Sequence, residues 1–344
     1  MKRNTGEGDR SDPRTEKEAA MNQSQKEALD KPAVRHPRPK ARISSAVRSI
    51  KDVELRWNEP LSRHTTFRVG GPVWCFARPR TERALSALLD EARDREAPFY
   101  ILGGGSNVLP PDHPWDALII QLNLSCRKLF RFQENGSQAA FVYAGAGSKL
   151  SEAIRYGVTN ELEGFEPLVG IPGTLGGALV MNAGTAHGTI ADSLLWIDMI
   201  DGAGRRLRLP KYDLSPAYRS MGLPEDSVVV GGCFKLRASS AQVQKAKLVE
   251  LLAERKHKQP MGFPSAGSVF KNPEGRSAGE LIEKTGLKGL RIGGAEVSRK
   301  HANWIVNRGG ATARDIMALI RKIENEVFGT FGVRLEREIR ILGH

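Results

Sequence analysis

The sequence of 344 residues has few cysteines and no long apolar run. Its three cysteines, Cys75, Cys126 and Cys233, lie far apart, and none belongs to a CxxC pair or a Cys/His cluster. We therefore expect neither a disulfide scaffold nor a metal site. The most apolar stretch, residues 168–183, is broken by Pro172 and is shorter than the roughly 18 residues that span a bilayer. The charged N-terminus also lacks the apolar segment of a signal peptide, so we predict a reduced, soluble, cytoplasmic protein without a membrane partner.

Aromatic residues are scarce as well, at 6%, and none precedes Trp57. The formal net charge is +13, of which residues 1–50 carry +5 and the remaining chain +8. A chain segment with so little apolar surface cannot offset its conformational entropy, so residues 1–50 are predicted to be a disordered basic extension. A nucleic-acid-binding protein is the alternative that the charge leaves open. It would need aromatic residues among the basic ones, and the extension has none, so no nucleic-acid partner is expected.

Apolar periodicity predicts helices and strands in alternation after residue 50. Ser148 is the predicted cap of the second helix, and a composition shift at Ala238 divides residues 51–237 from a small α+β domain at 238–344. The predicted helices are 81–95, 148–157, 238–258, 277–285 and 312–328. The predicted strands are 98–102, 115–122, 141–144, a hairpin over 196–209 that turns at Asp201-Gly202, and then 227–236, 303–307 and 333–342.

Two glycine clusters lie in the first predicted domain, and both suit a phosphate-bearing ligand. Consecutive glycines leave their backbone N–H groups exposed, and these groups can turn towards an anion. Neither cluster is a GxGxxG fingerprint in a strand–turn–helix unit, and no GxxxxGK[ST] is present, so a dinucleotide fold of the Rossmann type is poorly supported and a P-loop is excluded. The clusters are Gly103-Gly104-Gly105-Ser106-Asn107 and Gly170-Ile171-Pro172-Gly173-Thr174-Leu175-Gly176-Gly177.

Three further polar residues lie outside the glycine clusters. Ser268 follows a glycine but has no GxSxG elbow, which argues against a hydrolase nucleophile. Arg219 could bind a carboxylate or a phosphate. Glu338 alternates with apolar residues, a pattern that by itself indicates a solvent-facing charge on a strand. The residues alone therefore predict a site for a phosphate-rich cofactor together with a substrate domain.

Eight groups of motifs, in order over residues 55–343, resemble the UDP-N-acetylenolpyruvoylglucosamine reductase family in its type II form. The likeness implies an FAD-binding domain of the vanillyl-alcohol-oxidase (PCMH) type over residues 51–237, followed by a substrate-binding domain. The motifs are HTTFRVGG at 64–71, LGGGSN at 102–107, GIPGTLGG at 170–177 with MNAG at 181–184, AYRS at 217–220, AGSVFKNP at 266–273, GLKG at 286–289 with IGG at 292–294, HAN at 301–303 and LEREIR at 335–340.

The resemblance also implies which residues hold FAD. They belong to the first motif, to the two glycine clusters and to the segment after the second cluster. The implied FAD-binding residues are Arg68, Gly103, Gly104, Gly105, Ser106, Asn107, Gly170, Ile171, Pro172, Gly173, Thr174, Gly176, Gly177 and Asn182.

The implied reaction completes UDP-N-acetylmuramate for the cell wall in two half-reactions. NADPH reduces the flavin, and the reduced flavin then passes a hydride to the vinyl carbon of UDP-N-acetylglucosamine enolpyruvate. The resemblance implies that Arg219 and Glu338 flank the substrate carboxylate and that Ser268 donates the proton to the neighbouring carbon. Tyr218, Lys271 and Asn272 contact the substrate.

Two positions depart from the family pattern, because an aromatic residue is more common near His187 and a proline is common at Arg337. Arg337 loosens one strand position but leaves Glu338 in register. Another flavoenzyme of the same fold, oxidising a small alcohol or sugar acid, is the second alternative. Such enzymes often attach FAD through His or Cys, and neither glycine cluster contains one. A monomer is expected.

Overall fold

The computed structural model describes residues 46–122, 129–132 and 140–343, all of which belong to one compact unit. Residues 46–49 form a helical turn in which Val47 is buried, and the Arg48 guanidinium lies 5.0 Å from the centroid of the Trp57 ring. Residues 46–50, the end of the predicted extension at 1–50, are thus among the described residues. Its residues 1–45 lie outside the described residues, as does Cys126.

The first sheet has four strands in the order β1-β2-β5-β3. β1 and β2 are antiparallel, whereas β5 runs parallel to both β2 and β3. α1 begins as predicted at Thr81, whose hydroxyl accepts a hydrogen bond from the Ala84 N–H at 3.1 Å. The elements are β1 (Val53–Pro60), β2 (Pro72–Pro79), α1 (Glu82–Asp94), β3 (Phe99–Leu102), β4 (Val108–Leu109) and β5 (Trp115–Gln121).

The second sheet is antiparallel and has the order β12-β11-β13-β7-β6, with β8 paired to the far end of β13. The predicted hairpin is confirmed as β11 and β12. Ser148 does not cap α2, because the N-cap is Lys149. The elements are β6 (Leu129–Phe132), β7 (Ala140–Gly145), α2 (Leu150–Thr159), β8 (Leu162–Glu163), α3 (Leu175–Val180), β9 (Gly184–Thr185), β10 (Gly188–Thr189), β11 (Leu194–Ile200), β12 (Arg206–Pro210) and β13 (Val228–Ala238).

The last part of the chain is a small antiparallel sheet, β14-β15-β16, with two helices beside it. The predicted strand over 333–342 is reduced to β17, because residues 336–338 run beside residues 269–271 without forming a continuous ladder. The elements are α4 (Ala241–Lys258), α5 (Ala278–Lys284), β14 (Arg291–Ile292), β15 (Ala295–Val297), β16 (Ile305–Asn307), α6 (Ala313–Phe331) and β17 (Arg340–Ile341).

The last part is fixed to the first by a shared core and by backbone pairing. Phe67, Val69 and Leu109 belong to the hydrophobic cluster that is otherwise built from residues 266–339. β17 pairs in parallel with β4, the segment that directly follows the first glycine cluster. The Asp112 carboxylate accepts hydrogen bonds from the first N–H groups of α6, the favourable charge at a helix N-terminus. Within the described ranges, no helix is both long and apolar enough to cross a membrane.

Candidate active site

The two glycine clusters lie directly against each other. We call residues 103–107 the first glycine loop and residues 170–177 the second glycine loop. The Ser106 hydroxyl donates a hydrogen bond to the Pro172 carbonyl at 2.9 Å. A Cβ on Gly104 would lie 2.7 Å from the Gly173 Cα, closer than real side chains approach. Only glycine therefore lets the two loops meet at this point.

The first glycine loop leaves backbone N–H groups unused. The carbonyl of Gly103 accepts a hydrogen bond from Gln121 at 2.9 Å, and that of Gly105 accepts one from the Thr66 N–H at 3.0 Å. The C=O and the N–H of one trans peptide point in opposite directions, so the N–H groups of Gly104 and Ser106 point away from these partners. Neither makes a hydrogen bond within the described part of the chain. This leaves donors available to an anion.

Arg68 lies in the turn that packs on the first glycine loop. Its φ is +57°, its N–H donates to the Thr65 carbonyl at 3.1 Å, and its side chain is exposed. A Cβ on Gly105 would lie 1.9 Å from the His64 carbonyl oxygen, which shows how closely this turn approaches the loop. Arg68 is thus brought near the first glycine loop by the backbone.

Asn182 supports the turn that carries Arg219. Its Nδ2 donates to the Ala217 carbonyl at 3.0 Å, and its buried Oδ1 has no hydrogen-bond partner within the described ranges. Ala217 and Ser220 exchange two backbone hydrogen bonds, at 2.8 and 3.2 Å, so that a two-residue turn projects between them. Arg219 occupies that turn with a left-handed φ of +60°. The turn therefore fixes the backbone position from which the Arg219 side chain extends.

Arg219 and Glu338 form a partly buried ion pair. Arg219 Nε lies 2.6 Å from Glu338 Oε1, and the side chains are 23% and 11% exposed. Burial raises the pKa of Glu338, and the positive charges of Arg219 and Lys271 oppose this shift only in part. Glu338 Oε2 is buried without a hydrogen-bond partner among the described residues. The solvent-facing position indicated by the strand pattern alone is therefore wrong for Glu338.

Ser268 lies beside Glu338 through the backbone, since the Glu338 N–H donates to the Val269 carbonyl at 2.8 Å. Ser268 is half-buried, and its hydroxyl makes no hydrogen bond within the described part of the chain. A hydroxyl without a fixed partner is free to turn towards a substrate. The structure thus brings the predicted trio, Arg219, Ser268 and Glu338, into one region.

The three predicted substrate-contacting residues have different surroundings. The Tyr218 ring is half-exposed, and its centroid lies 4.9 Å from the Arg219 guanidinium carbon. Lys271 forms an ion pair with Glu336 on the segment that leads to Glu338. Asn272 is directed towards α5, because its Oδ1 accepts a hydrogen bond from the Ala278 N–H at 3.1 Å. Asn272 thus satisfies the first N–H of α5, whose N-cap is Ser277.

Arg255, on α4, is a basic residue of this region that the sequence pattern did not single out. A Cβ on Gly170 would lie 3.0 Å from its Nε, which is buried and without a hydrogen-bond partner among the described residues. Burial and the nearby Arg219 charge both lower its pKa. Arg255 donates from Nη2 to Gln259 Oε1 at 3.0 Å, so its guanidinium adds a positive charge beside the second glycine loop. In the sequence, Arg255 is one of several basic residues in a polar helix and carries no distinguishing signal.

Comparisons with known proteins agree with this arrangement. A family model described as an FAD binding domain matches residues 74–210, and one described as the C-terminal domain of UDP-N-acetylenolpyruvoylglucosamine reductase matches residues 259–342. The UDP-N-acetylenolpyruvoylglucosamine reductase of Syntrophobacter fumaroxidans is 57% identical over 293 residues, which cover 85% of each chain. The chain belongs to the UDP-N-acetylenolpyruvoylglucosamine reductase family.

Other members of the reductase family support the same assignment. The reductase of Desulfosudis oleivorans is 41% identical and covers 84% of this chain and 95% of its own. The crystal structure of the Thermus caldophilus reductase superposes with a TM-score of 0.71 at 34% identity, covering 85% of this chain and 99% of the other. The predicted fold class, α+β with an FAD-binding domain of the vanillyl-alcohol-oxidase (PCMH) type, is confirmed.

The glycine loops fit the FAD that this reductase family uses. The closeness of the two loops excludes side chains, and the unused N–H groups of Gly104 and Ser106 are donors suited to a pyrophosphate. Thr174 lies at the contact between the loops, since a Cβ on Gly103 would come 2.7 Å from its Oγ1. The residues present therefore fit the cofactor.

Both departures from the reductase family pattern contact carboxylate side chains on helices. His187, between β9 and β10, has its Nε2 2.9 Å from Glu254 Oε2 on α4. Lys258 and His187 together lower the pKa of Glu254 to about 2. Arg337 donates two hydrogen bonds, at 2.6 and 2.8 Å, to Glu324 on α6. Arg337 thereby ties the segment before Glu338 to a helix.

Proposed function

We propose that this chain reduces UDP-N-acetylglucosamine enolpyruvate to UDP-N-acetylmuramate with NADPH as the reductant, as a cytoplasmic monomer in peptidoglycan precursor synthesis. Residues 51–237 form its FAD-binding domain and residues 238–344 its substrate-binding domain. The observation that carries the proposal is the partly buried Arg219–Glu338 pair beside Ser268. Backbone pairing of β17 with β4 connects its segment to the first glycine loop. Membership of the reductase family supports the same substrate.

FAD, when bound, supplies the hydride chemistry that links NADPH to the enol ether. The protein supplies the surrounding charges. Reduction at the vinyl carbon builds negative charge on the neighbouring carbon and on the attached carboxylate. Arg219 neutralises this charge from its fixed turn, and the water-poor surroundings strengthen the interaction.

Glu338 takes part as a protonated or hydrogen-bonded carboxyl group. Two bare carboxylates side by side would repel each other, and burial already favours the neutral form of Glu338 by raising its pKa. Its unpartnered Oε2 has no hydrogen bond to lose when a substrate carboxylate approaches. Glu338 therefore orients the substrate carboxylate opposite Arg219.

Ser268 donates the proton that completes the reduction. Its O–H bond breaks as a C–H bond forms at the carbon next to the carboxylate. An ordinary hydroxyl is a weak acid, but the carbon is strongly basic once the hydride has been added. No hydrogen-bond partner among the described residues holds the Ser268 hydroxyl away from the substrate carbon.

Arg255 increases the attraction for anionic ligands. FAD, NADPH and the UDP-sugar all carry phosphates, and the chain outside residues 1–50 has a net charge of +8. Arg255 has an unpartnered Nε beside the second glycine loop, so we expect it to bind a phosphate or carboxylate of one of these ligands.

The test combines a spectrum with a turnover assay. The purified protein is expected to be yellow, and to oxidise NADPH only when the enolpyruvyl nucleotide is present. A colourless protein that FAD does not reconstitute would overturn the proposal. Flavin reduction by a small alcohol or sugar acid, with no response to the nucleotide, would instead indicate an oxidase.

A further inference from the structure

A buried hydrogen-bond chain lies behind the first glycine loop, and the reaction described above does not use it. Gln121, at the end of β5, donates from Nε2 to the Gly103 carbonyl at 2.9 Å. Its Oε1 accepts from Arg78 Nε, also at 2.9 Å. A guanidinium only donates, so the amide oxygen of Gln121 must face Arg78 and the amide nitrogen must face Gly103. The orientation of Gln121 is therefore set by Arg78.

The chain continues from Arg78 to a buried carboxylate. Arg78 Nη2 lies 3.4 Å from His64 Nδ1, and His64 Nε2 lies 2.8 Å from Glu59 Oε1. Because Arg78 can only donate, Nδ1 is the acceptor and the Nε2–H donates to Glu59. The His64 ring stacks on Phe76 with centroids 4.1 Å apart, and Glu59 is only 6% exposed. Arg56 also contacts Glu59 Oε1, at 3.5 Å, so the carboxylate end of the chain is held by a second donor.

The end of this chain controls the direction of one backbone amide. The carbonyl of Gly103 and the N–H of Gly104 belong to the same planar peptide and point in opposite directions. By holding the carbonyl on the β5 side, Gln121 directs the Gly104 N–H to the other side, where no described residue accepts it. Glycine flanks this peptide on both sides, so the backbone itself restricts its rotation very little.

We propose that Gln121 is a positioning residue for the cofactor, which directs the Gly104 N–H at the pyrophosphate of FAD, and that Arg78, His64 and Glu59 hold Gln121 in place. The inference rests on FAD binding at the two glycine loops, as proposed above. It does not depend on the identity of the substrate. Gln121 acts through the peptide and touches neither FAD nor the reacting atoms.

The test is Gln121→Glu, which keeps the length of the side chain and an acceptor for Arg78 but removes the donor to Gly103. The apoprotein is titrated with FAD and, separately, with riboflavin, which has the same ring system without phosphates. Because the amide directs the Gly104 N–H at the pyrophosphate, FAD should bind about tenfold more weakly, the effect of weakening one hydrogen bond to a charged group. The affinity for riboflavin should stay unchanged.

A matched control is Gln244→Glu on α4. Gln244 is 2% exposed, and its Nε2 donates to the Ser239 carbonyl at 2.7 Å, so the chemical change is the same. We expect this variant to lose stability without any change in the ratio of FAD to riboflavin affinity. If Gln121→Glu does not fold, Gln121→Met removes the donor without adding a charge, and the same ratio is measured.

The outcomes separate the inference from the proposed function. A wild-type protein that binds no FAD overturns both. A wild-type protein that binds FAD, with a Gln121 variant of unchanged FAD affinity, overturns only the role of Gln121. Equal weakening of FAD and riboflavin also overturns it, because that result describes a general distortion of the site. A selective loss of FAD affinity supports it.

Discussion

Replacing Ser268 by alanine removes one hydroxyl and little else. Ser268 is half-buried, and its hydroxyl makes no hydrogen bond within the described ranges. A substitution of this kind changes the free energy of unfolding by no more than about 0.5 kcal/mol. A large loss of activity in Ser268→Ala therefore cannot result from unfolding.

The loss expected for the proton-transfer step is much larger. A positioned general acid accelerates its step by about a hundredfold to ten-thousandfold, which corresponds to about 3–5 kcal/mol of barrier. The pair that we propose to bind the substrate carboxylate, Arg219 and Glu338, remains intact in the variant, so substrate binding should change little. Reduction of the flavin by NADPH does not involve Ser268 and should keep its rate.

Anaerobic stopped-flow spectroscopy separates the two half-reactions through the flavin absorbance. In Ser268→Ala, the first half-reaction should proceed at the wild-type rate, and reoxidation by the enolpyruvyl nucleotide should nearly stop. Ser277→Ala is the control, because Ser277 only caps α5 through the Glu280 N–H at 3.3 Å. It should cost about 1 kcal/mol of stability and leave both rates intact. If Ser268→Ala slows both half-reactions equally, the proton-donor role is refuted.

Three further substitutions test the site. Because the folded pKa of Glu338 is raised, its contribution to stability is present below its ordinary value of 4.5 and is lost as the pH rises through the folded pKa. Arg219→Met removes a charge that lowers this pKa, so the melting temperature should fall further below wild type as the pH rises; a constant gap would contradict the coupling. Gly104→Ala should abolish tight FAD binding in a fluorescence titration, since its Cβ would lie 2.7 Å from the backbone of the facing loop. The control is Gly329→Ala, which has open space around it in α6 and should stabilise the fold by about 1 kcal/mol. Arg255→Met should raise the KM for the anionic substrates. It should not lower the melting temperature, because the charge that it removes is poorly solvated and has no carboxylate partner. A large loss of stability with an unchanged KM would contradict this role.

Local patterns predicted the regular elements well. The apolar spacing of α1 and its cap Thr81 were readable from the sequence, because a helix of this kind is specified by neighbours three and four residues apart. The hairpin of β11 and β12 was equally readable from its Asp-Gly turn. Ser148 was wrongly expected to cap α2, because its neighbour Lys149 occupies the N-cap instead.

Non-local features escaped the patterns. The alternation around Glu338 suggested one long strand, but only Arg340 and Ile341 find a strand partner, and that partner lies in the first part of the chain. The burial of Glu338 depends on Arg219, which is more than a hundred residues away. Arg255 lies against the second glycine loop and Gln121 binds the first. A single sequence does not show such contacts between distant segments. The motifs of the reductase family grouped Arg219, Ser268 and Glu338 as one predicted site, a grouping that the physical patterns did not make.

The pairing of β17 with β4 has a consequence for the order in which the enzyme matures. The first glycine loop is bordered by a strand whose partner comes more than 200 residues later in the chain. Contacts of such large sequence separation form late, since a long loop must close before they gain any free energy. We therefore expect the border of the first glycine loop to be completed late in folding, together with the segment that carries Glu338. A folding intermediate without this pairing would lack both the bordered first glycine loop and the neighbouring Glu338 segment, so we expect the two parts of the proposed site to form together.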